Sequence, residues 1–270
     1  MLVPIAALAG LGLLSGLGLA AAARVFAVEG DARQDEIADL LPGANCGGCG
    51  YAGCADFAGA VVRGDAAAAD CPVCDRRSAE LVAAVMGLEL DEREPQVALI
   101  LCQGDDHVAA RRYRYNGLAS CASAVQLGGG DKACGWGCLG LGDCQAACAF
   151  GAVEMTAAGV ARVLPARCTG CGRCVTACPK DIIKLVPKSA TVHVLCSNHG
   201  KGAGVKKQCS VACLGCRKCE KAFAEDPRIV VSDFLAEVDY GRAPDDPALV
   251  DLCPTGAIVH VEQGTEGGTP

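Results

Sequence analysis

Large aromatic side chains are scarce: five Phe, four Tyr and one Trp make up 4% of the 270 residues. So little ring area leaves the core poorly supplied with large apolar groups, and something else must organise the chain. Basic residues are also in the minority, 24 Lys and Arg against 31 Asp and Glu, for a net charge of −7. That balance argues against a nucleic-acid partner, because phosphate binding needs clustered Lys and Arg. No G-x-G-x-x-G fingerprint follows a strand-like run, and no P-loop occurs. His107, His193, His199 and His260 are dispersed and read as surface or structural side chains. No catalytic constellation is expected.

What the chain does have is cysteine, 21 residues, together with 35 glycines. Such chains usually compensate for a thin core with disulfides or metals. Disulfide frameworks belong mainly to small secreted domains. Here the cysteines stand in tight runs, which is the spacing of ligands gathered around one centre.

From Leu2 to Ala23 the chain carries no charge. About 20 apolar residues suffice to cross a hydrocarbon core, and a helix satisfies its own backbone there. Gly12-x-x-x-Gly16 fits either a small-residue packing face or chance in a Gly/Ala-rich run. A cleaved signal peptide would have a basic segment before the apolar run, but the first basic residue, Arg24, follows it. The reading is a single-pass anchor with the body on the cytoplasmic side, where thiolates stay reduced.

The first cysteine group follows a short helical run (residues 31–41) ended by Pro42-Gly43. It is Cys46-x2-Cys49-x4-Cys54-x16-Cys71. Glycines between the ligands let the backbone wrap closely. A four-cysteine zinc site is the alternative for this motif alone. Cys74 reads as a free thiol beside the group. A helical pattern from Ser78 to Leu90 is expected to pack over it.

Cys168-x2-Cys171-x2-Cys174-x3-Cys178-Pro179 is the bacterial ferredoxin run, whose fourth Cys ligates the other cluster of a pair. Its partner lies upstream as Cys134-x3-Cys138-x5-Cys144-x3-Cys148. The residues after Cys148, Cys178 and Cys253 form similar turn-and-strand stretches, a sign of internal repeats. The crossing rule gives one cluster Cys134, Cys138, Cys144 and Cys178. It gives the other Cys148, Cys168, Cys171 and Cys174. A third run, Cys213-x2-Cys216-x2-Cys219, pairs with Cys253. The four positions of its companion cluster are Phe223, Ala243, Asp246 and Leu249, so the last unit is expected to hold one cluster. Four [4Fe–4S] clusters are therefore expected. A fifth, built from Cys102, Cys121, Cys196 and Cys209, is open, with free thiols as the alternative.

In order, the motifs are an uncharged N-terminal helix, Asn45-Cys-Gly-Gly-Cys-Gly-Tyr-Ala-Gly-Cys54, Gly137-Cys-Leu-Gly-Leu-Gly-Asp-Cys144, the ferredoxin run and Cys209-x3-Cys213. This resembles the long form of the RnfB family, part of the Rnf ion-translocating electron-transport complex, over nearly the whole chain. The resemblance implies a cytoplasm-facing electron-transfer subunit in the cell (inner) membrane, among other Rnf-type membrane subunits, with soluble ferredoxin as donor. It also implies coupling of ferredoxin:NAD electron flow to Na+ or H+ transport. An iron–sulfur redox sensor or scaffold, or a polyferredoxin component of another membrane oxidoreductase, are the alternatives.

The expected fold is α+β with much loop. Residues 1–28 form the anchor, 29–90 a 4Fe-4S domain and 91–127 a connecting segment. Residues 128–190 form a two-cluster ferredoxin-like βαββαβ domain, 191–261 a degenerate one-cluster copy and 262–270 a disordered tail. The C-terminal units are the expected docking region, and the group next to the anchor is the expected exit toward membrane subunits.

Overall fold

The charge-free N-terminal run folds as one helix, α1 (Leu2–Val25), in the computed structural model, which describes residues 2–26, 31–90, 94–223, 225–226 and 228–261. At 1.5 Å per residue its 24 residues span about 36 Å, enough for a hydrocarbon core. Leu8, Leu11, Leu13, Leu14, Leu17 and Leu19 stand exposed along it. The expected tail, 262–270, lies outside the described residues.

Three helices follow: α2 (Ala32–Leu40), α3 (Cys54–Arg63) and α4 (Arg76–Val85). Asp31 caps α2 through Arg33 N, and Asp75 caps α4 through Ser78 N, each satisfying a backbone donor the helix cannot. Gly64, left-handed at φ +80°, ends α3. Their apolar faces meet in a small core of Ile37, Leu41, Phe57, Ala58, Val61 and Val82.

The rest of the chain is built twice over on one plan. The first copy runs β1 (Gln96–Ile100), α5 (Cys121–Val125), α6 (Asp143–Ala147), β2 (Val153–Met155), β3 (Ala161–Val163), α7 (Arg173–Ala177) and β4 (Ile183–Pro187). Its outer strands pair antiparallel, Gln96 opposite Pro187 and Ile100 opposite Ile183, and β2 pairs with β3. The second copy runs β5 (Val192–Val194), α8 (Ala203–Gln208), α9 (Lys218–Ala222), β6 (Ile229–Ser232), β7 (Leu235–Val238), α10 (Leu249–Leu252) and β8 (Ile258–His260). Again the outer pair, β5 with β8, and the inner pair, β6 with β7, are antiparallel. The opening strand β1 falls within 91–127, the stretch expected to be only a connection. Its place in the repeat is obscured because the helix and loop that follow it delay the first cysteine run by more than 30 residues.

Each copy has its own apolar core. Val153, Ile182 and Ile183 fill the first, and Val192, Ile229, Leu235 and Ile258 the second. Leu249 is buried in the second core and Phe223 packs against it. Two of the positions where cysteines are missing are thus filled by apolar side chains.

Candidate iron–sulfur centres

The short helices explain how one segment serves two sites. In α6 and α7 a cysteine lies in the first turn, Cys144 and Cys174, and another is the C-cap, Cys148 and Cys178. α9 has Cys219 inside and Phe223 as its cap, while α10 has Leu249 inside and Cys253 as its cap. A five-residue helix thus sends its two ends to different centres. Two residues after each of Cys138, Cys168 and Cys213 stands a glycine with a left-handed backbone that touches a neighbouring strand or turn. Added Cβ atoms at Gly140, Gly170 and Gly215 would lie 2.4, 2.6 and 2.6 Å from the carbonyl oxygens of Gly159, Gln96 and Phe234. Both the φ and the approach require glycine there.

All 21 cysteines are described, and none is disulfide-bonded. They gather in fours. Cys46, Cys49, Cys54 and Cys71 line one cavity beneath Phe57, with Asn45 Oδ1 accepting from Cys54 N at 2.8 Å. Cys74 is hydrogen-bonded to Cys71, which lowers the Cys71 thiol to about 6 and raises that of Cys74. Cys213, Cys216, Cys219 and Cys253 line a second cavity, and Ala257 N donates to Cys253 Sγ at 3.2 Å. Around Cys174 the neighbouring thiols are Cys168, Cys171 and Cys148. Ala98 N and Ala152 N donate to the Cys168 and Cys148 sulfurs at 3.4 and 3.3 Å.

The remaining cavity of the first copy is lined by Cys121, Cys138, Cys144 and Cys178. The spacing predicts Cys134 here, with Cys121 among the dispersed cysteines; the structure places the two the other way round. The reason is visible on aligning the runs. Cys138-x2-Leu141-x2-Cys144-x3-Cys148 matches Cys168-x2-Cys171-x2-Cys174-x3-Cys178 in register, so Leu141 occupies the second ligand position. Cys121 comes in from α5, held by Asp143, whose carboxylate accepts from Cys121 N and Ala122 N at 2.9 Å each and from Ser120 Oγ at 3.1 Å. The register is present in the sequence; the nearer Cys134 obscures it.

Burial pushes the thiols of Cys144 up to about 12 and those of Cys174 and Cys219 up to about 11, since a low-dielectric surrounding disfavours the thiolate. Neighbouring thiolates add to the rise. Such sites hold four thiolates only when cationic metal balances them, and metal binding then releases protons. Four soft sulfur donors with backbone N–H groups aimed at them are the donor set of a [4Fe–4S] cluster.

Comparison with known proteins agrees with this donor set. Residues 41–73 match the family model of an Fe-S cluster domain, and residues 133–182 that of a 4Fe-4S dicluster domain. The chain is 43% identical over 254 residues to the B component of the ion-translocating oxidoreductase complex of Methanosarcina acetivorans, covering 94% of this chain and 96% of that protein. It belongs to this family, the RnfB components of ion-translocating oxidoreductase complexes. It is 42% identical to the B component of a Na+-translocating ferredoxin:NAD+ oxidoreductase complex of Acetobacterium woodii, covering 96% of this chain and 77% of that protein. It is 39% identical to the B component of a proton-translocating counterpart in Clostridium ljungdahlii, covering 95% and 91%. The chain is therefore an electron-transfer subunit, read from its family and its 4Fe-4S domains.

The groups also lie in contact with one another. An added Cβ at Gly48 would sit 2.8 Å from Cys171 O and 3.0 Å from its Cα, and the Cys171 thiol acts electrostatically on Cys46. The loop of the first group is thus seated on a cysteine of the dicluster unit.

Proposed function

We propose that this chain carries electrons between soluble ferredoxin and the membrane subunits of an ion-translocating complex. The sites are four: Cys46, Cys49, Cys54 and Cys71; Cys121, Cys138, Cys144 and Cys178; Cys148, Cys168, Cys171 and Cys174; Cys213, Cys216, Cys219 and Cys253. Each copy from β1 and from β5 onward reads as a ferredoxin-like βαββαβ unit. A bound [4Fe–4S] cluster supplies a one-electron couple whose potential follows hydrogen bonding and exposure. The protein's part is to hold four thiolates, to aim N–H groups at them, and to keep water out with Phe57, Ile183 and Ile258. Helix α1 holds the body at a membrane, with the thiol-rich part in the reducing cytoplasm.

The observation that carries this reading is the seating of Gly48 on Cys171. It leaves no gap between the group that follows α1 in the sequence and the dicluster unit. The test is Gly48→Val in the full chain, purified anaerobically and mixed with reduced ferredoxin. Rapid-freeze EPR is expected to find the Cys46 group reduced several-fold more slowly, with iron per chain unchanged. An unchanged rate with the side chain in place would sink the reading.

A further inference from the structure

Five cysteines remain beside the sites above, and all but Cys74 meet at the boundary between the two units. Cys102, just past β1, and Cys134 come from the first unit; Cys196, just past β5, and Cys209 come from the second. Together they line one cavity. Its volume, about 20 Å³, equals that of the cavities lined by the Cys138 and Cys213 groups.

The boundary is built to hold them. Ala110 N donates to Gln208 O at 2.8 Å and Ser210 N to Val108 O at 3.0 Å, so the segment around Ala109 pairs with Cys209 across the seam. Gln103 Nε2 donates to Gly256 O at 2.6 Å and Ser197 Oγ to Leu101 O at 3.0 Å. The two units are therefore fixed on both sides of the cavity.

The sulfurs receive the hydrogen bonds a thiolate needs. Cys102 Sγ accepts from Gly104 N at 3.4 Å and Cys138 N at 3.3 Å; Cys196 Sγ accepts from Asn198 N at 3.5 Å and Cys213 N at 3.3 Å. The two pairs are matching, one per unit. Asn198, 1% exposed, adds Nδ2 to Cys134 Sγ at 3.3 Å. Lys132 is 1% exposed and also lines the cavity, its ammonium donating to Gly104 O at 2.6 Å. A buried cation beside four sulfurs offsets the negative charge of a thiolate-bound cluster. The Gly104 backbone passes close to two of the sulfurs: an added Cβ would lie in contact with them, 3.4 Å from Cys209 Sγ and 3.5 Å from Cys102 Sγ.

We infer that this seam binds a further [4Fe–4S] cluster, ligated by Cys102, Cys134, Cys196 and Cys209, two from each unit. The assignment rests on the relay reading and extends it. The bonds from Cys138 N and Cys213 N place the seam site directly between the Cys138 and Cys213 groups. With it, 20 of the 21 cysteines serve in fours and Cys74 alone remains.

The test is metal and acid-labile sulfide per full-length chain, purified anaerobically in detergent, with Mössbauer spectra. Wild type is expected to hold about 20 iron and about 20 sulfide, and Cys134→Ala/Cys209→Ala about 16 of each, with the other centres' spectra unchanged. About 16 iron in wild type, unaltered in the double variant, would overturn the seam cluster and leave the relay reading standing. So would about 16 iron with one zinc that the variant loses. Iron near zero in wild type would overturn both. Should the double variant fold poorly, the wild-type count alone decides.

Discussion

His193 is fully buried in β5, with its Nδ1 3.0 Å from the Tyr240 hydroxyl and the two rings 5.8 Å apart. Burial lowers its pKa from 6.5 to about 4. The unfolded chain takes up this proton below about 6.5, whereas the folded chain does so only near 4. The contribution of a neutral His193 is therefore complete above pH 6.5 and is lost as the pH falls toward 4. At pH 5 the loss amounts to about 2 kcal/mol. His193→Gln keeps a polar partner for Tyr240 without the titration. Denaturant unfolding at pH 7.5 and pH 5 is expected to cost wild type about 2 kcal/mol more than the variant. Parallel pH slopes would contradict this account.

At the scale of elements, the joint between α5 and α6 decides where Cys121 goes. Asp143 stands in the first turn of α6 yet caps α5 from outside, accepting three hydrogen bonds from Ser120, Cys121 and Ala122. Removing a cap of this kind costs about 1–2 kcal/mol. Asp143→Ala is expected to release α5 and to empty the Cys121 site, lowering iron by about four per chain; Asp143→Asn, which keeps an acceptor, is expected to retain most of it. Equal iron in both variants and wild type would mean that α5 is held by something else. The short helices, the crossed use of their two ends and the three C-x-Gly turns are legible as motifs, because ligand spacing is local. The exchange of Cys121 and Cys134 is less so. A cysteine brought to the cavity from 17 residues upstream of Cys138 leaves no local pattern, and only the non-cysteine Leu141 in the aligned run marks it. Strand β1 escapes for the same reason, since its partner β4 is more than 80 residues away.

For the molecule as a whole, composition foretells dependence on metal. Among the described residues the sheets are four two-stranded ribbons of three to five residues per strand, and such ribbons are marginal on their own. The cysteine cavities lie among these ribbons and the short helices beside them. Stripping iron with chelator and oxidant is expected to abolish amide-exchange protection in β1 to β8 while α1 stays protected in its detergent micelle. Strands that remained protected without iron would show that apolar packing suffices. The last unit has gone some way in that direction, with Leu249 and Phe223 packed at positions that are cysteines in its companion unit.

The seam has a consequence for how the chain matures. Synthesis delivers the first unit, through β4, before β5 exists, and only residues 188–191 join the two. Cys102 and Cys134 are then half of a site, two thiols with no complement, until Cys196 and Cys209 arrive. A centre shared in this way cannot be loaded one unit at a time. It closes last, and its occupancy records that both halves of the body were finished and docked.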